Sequence, residues 1–271
     1  MTTALLIIIS YICALAFLIV SNTSTDQKQK VNHRVTLSLF WLTLLLGISL
    51  HLFHSANTSY IQHSFNFSVA SMTFWFSALV VGTFAIGSLI YPIKNLAIIV
   101  LPIAIICIFF ALIWGDNPQI IDNQGSIFYW HIFTASIAFT LLSLSVLQAI
   151  LFGYQEVSLR KHTKNTFLTW LPPIQTTEIV LFKSIIVGFV FLSASITLGS
   201  LYNFELNRTL LSFNHHTVLA ILSWIGFAIL LYGRIILGWR GLQAINWTII
   251  AFLFLSIGYF GTKMINEVLI N

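Results

Sequence analysis

The chain has 271 residues, of which only 7% are charged and 58% are hydrophobic. Soluble domains carry about 25% charged residues, so this composition excludes a soluble globular enzyme, a disordered chain and a nucleic-acid-binding domain. The net charge of +5 arises from basic residues in the loops between apolar segments, and it therefore indicates membrane topology and not a nucleic-acid partner.

Eight apolar segments, taken in chain order, are each long enough to cross a bilayer as a helix. They cover residues 3–21, 35–54, 68–91, 95–114, 128–153, 179–201, 214–237 and 246–268. Each segment is continuously apolar instead of alternating, which favours helices over a β-barrel. We therefore expect an all-α integral membrane protein, a bundle of about eight transmembrane helices that forms a single membrane domain over residues 1–271.

The distribution of basic residues predicts the orientation, because positive charge marks the cytoplasmic side of a membrane protein. No basic residue precedes the first segment and no small-residue cleavage site follows it, so it is predicted to be a retained helix. Of the 12 basic residues, two fall on one side, Arg208 and Lys263, and the rest on the other: Lys28, Lys30, Arg34, Lys94, Arg160, Lys161, Lys164, Lys183, Arg234 and Arg240. We expect both termini outside, which is the periplasm if the membrane is a bacterial inner membrane, and membrane lipid around the bundle.

The sequence lacks the patterns of common catalytic and redox sites. Cys13 and Cys107 each lie in an apolar segment and no C-x-x-C motif occurs, so neither a disulfide framework nor thiol redox chemistry is expected. No G-x-S-x-G, P-loop or G-x-G-x-x-G motif is present, and the 7 acidic residues are too sparse for a paired-carboxylate site. The residues therefore favour no catalytic activity.

Histidines are the informative ionisable residues. Six of them group toward the predicted outer side: His51, His54, His63, His131, His215 and His216. His51 and His131 lie inside apolar segments, where an ionisable side chain is costly and usually has a partner or a ligand. His51 is about 24 Å along an outward-running helix at 1.5 Å per residue, and His131 is about one turn inside an inward-running one. We expect these two histidines to form an intramembrane pair near the outer face, with His215 as a third candidate.

Three interpretations of these histidines remain open. Imidazole binds zinc, copper, iron and nickel, but a zinc site would favour a nearby carboxylate or cysteine, and the outer acidic residues Asp116, Asp122 and Glu205 all lie in loops. Heme iron accepts axial histidines from separate helices, and 15% aromatic residues could supply apolar surroundings for the macrocycle. Two intramembrane imidazoles could also relay protons. Heme iron is the ligand that the pattern favours for His51 and His131.

Several motifs occur in an order that resembles a known membrane protein family. They are Trp130-His131, Leu147-Gln148-Ala149, Tyr154-Gln155, Leu171-Pro172-Pro173-Ile174-Gln175 with Glu178, the stretch from Val218 to Trp224, Gly238-Trp239-Arg240-Gly241, and Tyr259-Phe260-Gly261. Together they resemble the cytochrome c assembly protein family, which includes CcsA, CcmC and HemX-like proteins, and most closely its YpjD branch. The resemblance covers roughly residues 35–268 and is clearest over 128–268.

The resemblance implies heme binding on the outer side. Heme-handling members of the family carry a tryptophan-rich WWD segment in an outer loop, flanked by histidines that ligate heme iron. The resemblance places His131 at the histidine before that segment, and it relates His51 to a membrane-embedded histidine and His215 to a further one. The loop at 202–216, where the segment would lie, contains no Trp, and Tyr232 stands where family heme lyases have a histidine. The resemblance therefore implies heme binding without lyase activity.

Two functions follow as expectations. The first is a heme-binding integral membrane protein associated with cytochrome c biogenesis, which binds heme through His51, His131 and His215 and has heme and other cytochrome-assembly or membrane proteins as partners. The alternative is a small-solute or ion transporter, or a membrane regulatory subunit, that uses the same histidines as a proton relay. Heme absorbance would separate the two.

Overall fold

A computed structural model describes residues 2–23, 30–61, 64–115, 118, 120–121, 125–162, 166–209, 214–261 and 264. Within these ranges, eight helices are long and apolar enough to cross a membrane, which confirms the expected fold class. His63, Lys28, Lys164 and Lys263 lie outside the described residues. The helices are α1 (Thr2–Thr23), α2 (Lys30–Ser59), α3 (Val69–Ile90), α4 (Ala97–Trp114), α5 (Ser126–Arg160), the short α6 (Thr166–Trp170), α7 (Ile174–Asn207), α8 (His215–Ile235) and α9 (Leu242–Ser256).

The chain divides into two compact units, and whether they act as the single domain expected from the sequence stays a prediction. The first unit comprises Met1–Ile121 and Thr166–Pro172. Its four long helices pack as a closed ring, in which α1 contacts α2, α2 contacts α3, α3 contacts α4 and α4 contacts α1. The interior holds fully buried Tyr11, Phe40 and Phe84, while Ile86, Leu89 and other large apolar side chains stay exposed on the outer faces. Such exposure is expected where a helix faces lipid.

The second unit comprises Asp122–Asn165 and Pro173–Asn271. Its four long helices also pack in a ring, in which α5 contacts α7, α7 contacts α8, α8 contacts α9 and α9 contacts α5. Leu142, Leu181, Phe227 and Leu230 are fully buried in its core. A π-helical turn, Ile257–Gly261, continues α9.

Several helices run beyond the apolar segments that predicted them, whereas α3, α4 and α8 lie within theirs. α2 continues to Ser59 through the polar residues after His54, and α5 continues to Arg160. α7 begins at Ile174, directly after Pro173, because proline lacks the amide hydrogen and is well accommodated before the first turn of a helix. Hydropathy alone locates the part of a helix that lies in lipid, so it omits turns that extend into the interface.

Two small features lie outside the long helices. Three very short antiparallel strands, β1 (Tyr60–Ile61), β2 (Ser64–Asn66) and β3 (Ile120–Ile121), form a sheet of order β1-β2-β3 in the first unit. The helix α6 belongs to the same unit, where the Asn95 amide donates to the backbone carbonyl of Trp170. Asn95 in turn accepts a hydrogen bond from Asn22 at the end of α1.

Candidate functional site

His131 lies on the sixth position of α5, in the second unit, with its ring against α7. Its Nδ1 atom is 2.8 Å from the backbone carbonyl oxygen of Ser195 and 3.3 Å from the Ser195 hydroxyl. A carbonyl oxygen only accepts hydrogen bonds, so Nδ1 carries the hydrogen and donates it. The lone pair of the neutral ring is then on Nε2. Metal-ligating histidines are commonly held in this way, because donation to a carbonyl fixes both the tautomer and the ring orientation.

Gly199 makes the approach of His131 to α7 possible. A Cβ atom at this position would lie 3.0 Å from Cε1 and 3.1 Å from Nδ1 of the imidazole. Gly199 is one helical turn after Ser195, so it lies on the same face of α7 as the carbonyl that holds the ring. Any larger residue would push the imidazole away from that carbonyl.

Aromatic rings flank His131 along α5. Trp130 and Phe133 pack edge to face with their ring centroids 5.7 Å apart, and both are more than half exposed. One turn earlier, Phe128 lies 5.2 Å from the ring of Tyr202 on α7. Trp130 and Phe133 are one and two residues from His131, and positions so spaced do not face each other on a helix.

His215 and His216 form the first two residues of α8, in the same unit as His131. Both are exposed. The ring of His216 lies 6.2 Å from Tyr259, in the π-helical turn after α9. The structure therefore places His215 at a helix start with an exposed side chain.

His51 lies in the first unit and has a different environment. It is fully buried, and both ring nitrogens contact hydroxyl groups of neighbouring helices. Nδ1 is 3.0 Å from the hydroxyl of Tyr11 on α1, and Nε2 is 3.3 Å from the hydroxyl of Ser77 on α3. Phe74 covers the ring edge to face at 6.0 Å. His51 on α2 thus links α1 and α3 of the first unit through polar contacts.

The direction of these hydrogen bonds can be assigned. The Ser77 hydroxyl donates to the backbone carbonyl of Phe74 at 3.1 Å, so it accepts from Nε2–H of His51. His51 then has its lone pair on Nδ1, which accepts from the hydroxyl of Tyr11. Hydrogen is therefore donated in one direction, from Tyr11 to His51 to Ser77 to the carbonyl of Phe74.

The histidines differ in how well they fit heme iron. His131 donates from Nδ1 and so has its lone pair on Nε2 in a fixed tautomer, as axial histidine ligands commonly do. His51 has both nitrogens engaged and no exposed surface, so binding iron through Nε2 would require Ser77 to move away. Within the described part of the chain, no group of three or more histidine, cysteine or acidic side chains could hold a bare metal ion. His51 and His131 belong to different units, and their pairing stays a prediction.

Sequence reasoning missed the residues that hold the histidines. Tyr11 and Ser77 contact His51 from other helices, and a Cβ atom at Gly47 would lie 2.6 Å from the Tyr11 ring. Nothing in the sequence alone distinguishes these residues from other residues of apolar helices. The one available signal was spacing, because Gly47 lies four residues before His51 and shares its helical face.

The ion pair between Glu178 and Arg234 was also missed. Their side chains meet at 2.8 Å between α7 and α8, with 22% and 24% of each exposed. Arg234 also donates to the backbone carbonyl of Trp239 and lies 4.1 Å above the ring of Phe182. The sequence analysis assigned neither residue a partner, but in the structure they link α7 and α8 at the end of the second unit opposite to His131.

A family model described as "Cytochrome C assembly protein" matches residues 65–270. An uncharacterized 28.8 kDa protein in the nifR3-like 5' region of Azospirillum brasilense is 25% identical over 165 residues, which are 60% of this chain and 61% of the relative. The inner membrane protein YpjD of Escherichia coli (strain K12) is 25% identical over 141 residues, 51% of this chain and 52% of the relative. The cytochrome c biogenesis protein CcsA of Chlamydomonas reinhardtii is 27% identical over 151 residues, 56% of this chain and 42% of the relative.

The matched region spans about half the length of these curated relatives, from 42% to 61%. No solved structure matches the chain.

Proposed function

This chain belongs to the cytochrome C assembly protein family, and we propose that it is a heme-binding integral membrane protein with a role in cytochrome c biogenesis. The name of the CcsA relative supports the role, and the name of the YpjD relative supports a bacterial inner membrane as the location. The proposed partners are membrane lipid, heme, and other cytochrome-assembly or membrane proteins.

The observation that carries the heme proposal is the hydrogen bond from Nδ1 of His131 to the carbonyl of Ser195. It leaves Nε2 free to ligate iron, and it holds the ring so that this nitrogen keeps one direction. Bound heme would supply an iron centre that imidazole ligands hold and whose reduction potential they tune. The backbone carbonyl of Ser195 orients the His131 ligand.

The second axial position is proposed for His215 or for His51. His215 is exposed and belongs to the same unit as His131. His51 is buried with both ring nitrogens engaged, so its use as a ligand requires the contact to Ser77 to open. The exposed side chain of His215 and its place in the same unit as His131 favour His215. Separate variants of His215 and His51 distinguish the two candidates.

We propose that heme binds without lyase chemistry. The stretch 202–216, which includes the end of α7 and the start of α8, contains no Trp, whereas the resembling heme lyases have a tryptophan-rich segment in an outer loop there. No catalytic residue is therefore assigned. Heme would stay within the membrane bundle instead of being presented to an apocytochrome at this loop.

An absorption spectrum of the detergent-purified protein, expressed with ample heme, tests the proposal. The wild type should show a Soret band, and His131→Ala should abolish or shift it because the axial nitrogen is lost. His215→Ala should shift the band, and His51→Ala should shift it only if His51 is the second ligand. His162→Ala is the matched control, because His162 is an exposed histidine just after the C-terminal end of α5, whereas His131 lies near the start of that helix.

Two outcomes would contradict the proposal. The first is a wild type without a Soret band under heme-replete expression. The second is an unchanged band in His131→Ala protein that elutes as a folded monodisperse species. The first result would leave the alternative function, a transporter or regulatory subunit with a proton relay, which the hydrogen-bonded series through Tyr11, His51 and Ser77 favours.

A further inference from the structure

The turn between α8 and α9 lies at the boundary of the hydrocarbon layer. α8 has 21 residues, and α9 with its π-helical turn forms a span of 20, so each is about 30 Å long at 1.5 Å per residue. The hydrocarbon core of a bilayer is also about 30 Å thick, so neither helix has a turn to spare outside it. Residues 236–241, here called the α8–α9 turn, therefore lie in the headgroup layer.

The α8–α9 turn is folded back against α8, so it does not extend far into water. The backbone amide of Trp239 donates to the carbonyl of Gly233 at 2.9 Å, and the Arg234 side chain donates to the carbonyl of Trp239 at 3.1 Å. The indole of Trp239 occupies the place that a Cβ atom of Gly233 would take, and it stacks on Trp247 with the ring centroids 6.0 Å apart. These contacts fix the backbone beside Arg240 close to the bundle.

The exposed side chains in and beside this turn are large and apolar, apart from Arg240. Four apolar side chains are between 59% and 72% exposed: Ile235, Ile236, Leu237 and Leu242. Arg240 is exposed among them in the sequence. Apolar side chains next to a cation are typical of segments that lie where acyl chains meet headgroups.

The charge of Arg240 is not balanced by the acidic residues at this end of the second unit. Glu178 pairs with Arg234 at 2.8 Å, and Glu156 pairs with Arg160 at 2.7 Å. Among the described residues, no carboxylate lies within ion-pair distance of Arg240. Its guanidinium therefore keeps its planar set of N–H donors, which match the oxygens of a phosphate group.

We propose that the α8–α9 turn binds an anionic phospholipid, with the guanidinium of Arg240 on the headgroup phosphate and the acyl chains along Ile236 and Leu237. A zwitterionic phospholipid balances its phosphate with its own ammonium group, so the unbalanced charge of Arg240 favours an anionic one. The turn is on the side predicted to be cytoplasmic. The proposal concerns the second unit alone and does not depend on heme binding at His131.

Native mass spectrometry of the detergent-purified protein, titrated with phosphatidylglycerol or with phosphatidylcholine of the same acyl chains, tests the proposal. One basic side chain near a membrane surface should favour the anionic lipid by about five-fold. The wild type should therefore bind the first phosphatidylglycerol about five-fold more tightly than the first phosphatidylcholine. Arg240→Gln should remove this preference, and Arg240→Lys, which keeps the charge, should retain at least half of it.

Lys161→Gln is the matched control. Lys161 is also an exposed basic residue of the second unit, so both glutamine variants remove one positive charge. The carboxylate of Glu156 lies 3.0 Å from a Cβ atom built at Gly241, at the end of the α8–α9 turn. Lys161 comes five residues after Glu156, about 7.5 Å further along α5 and away from the membrane. Lys161→Gln should therefore keep the preference for phosphatidylglycerol.

Four results would overturn the proposal. They are a wild type without the preference, an Arg240→Gln variant that keeps it, an equal loss in Arg240→Gln and Lys161→Gln, and a loss in Arg240→Lys as complete as in Arg240→Gln. Melting temperatures in detergent without added lipid should be the same for all variants, because both substituted side chains are exposed.

A competition with glycerol 3-phosphate separates a lipid from a soluble anion. This compound carries the phosphate without acyl chains, so it should not displace phosphatidylglycerol from the wild type at equal concentration. Displacement at equal concentration would overturn the proposal, because the apolar side chains of the turn would then contribute nothing to binding.

Discussion

Gly199 lies so close to His131 that a Cβ atom there would be 3.0 Å from Cε1 of the imidazole. Gly199→Ala should therefore push the ring off the carbonyl of Ser195 and destabilise the protein by about 1 kcal/mol or more, as overpacking does. The Soret band expected for the wild type should shift, although His131 is still present. Thermal unfolding in detergent and an absorption spectrum measure the two effects.

Gly82→Ala is the matched control, because no heavy atom lies within 4 Å of a Cβ built at Gly82 in α3. There, removing a helical glycine should be neutral or should stabilise by up to about 1 kcal/mol. If Gly199→Ala behaves like Gly82→Ala in both measurements, the close approach of His131 to α7 is wrong.

Tyr11→Phe should destabilise the first unit by about 1–3 kcal/mol, because it leaves Nδ1 of the buried His51 without its donor. A double-mutant cycle with His51→Phe isolates the contact, measured by chemical unfolding in detergent. The loss caused by Tyr11→Phe should be much smaller in the His51→Phe background. Equal losses in both backgrounds would show that Tyr11 stabilises the unit only by packing.

Arg234→Met should destabilise the second unit more than Glu178→Gln does. The methionine removes the ion pair, the hydrogen bond to the carbonyl of Trp239 and the contact with the Phe182 ring, at a cost of about 3 kcal/mol because the carboxylate stays half-buried and unpaired. The glutamine keeps a hydrogen-bonding side chain opposite Arg234, so we expect a cost of about 1 kcal/mol. Melting temperatures of the two variants compare these effects, and the reverse order would contradict the assigned contacts.

Both termini are predicted to face outside. Reporter fusions after residue 30 and after residue 165 should report the cytoplasm, whereas fusions after residue 60 and at the C-terminus should report the outer side. The reason is that most of the 12 basic residues lie on one predicted side of the membrane. A C-terminal fusion that reports the cytoplasm would mean that a helix had been missed or that one too many had been assigned.

The membrane spans were predictable because a single physical quantity decides them. A bilayer requires about 20 consecutive apolar residues, and this requirement is visible in any one segment without knowledge of its neighbours. The helix ends were less predictable: the residues after His54 are polar, yet α2 continues to Ser59, and the hydroxyl of Ser71 donates to the backbone carbonyl of Thr58 near that end. Where a helix extends beyond the apolar layer, local contacts decide where it ends, and hydropathy does not describe those contacts.

The candidate site was predictable only in part. His51 and His131 stood out because charge in an apolar segment is costly. Their surroundings could not be foreseen, since Tyr11 is 40 residues from His51 and Ser195 is 64 residues from His131. Which ring nitrogen is free depends on those partners, so the difference between a ligand-like His131 and a fully engaged His51 emerges only when the helices are packed.

Because α6 belongs to the first unit, that unit cannot complete its folding before part of the second unit has been synthesised. Residues Asp122–Asn165, including the whole of α5, are synthesised before Thr166–Pro172 completes the first unit. Domains usually fold as units in the order of their synthesis. Here the hydrogen bond from the Asn95 amide to the carbonyl of Trp170 can form only after α5, a helix of the second unit, has been synthesised. A gene split between codons 121 and 122 would therefore yield a first fragment that lacks Thr166–Pro172, the last segment of the first unit.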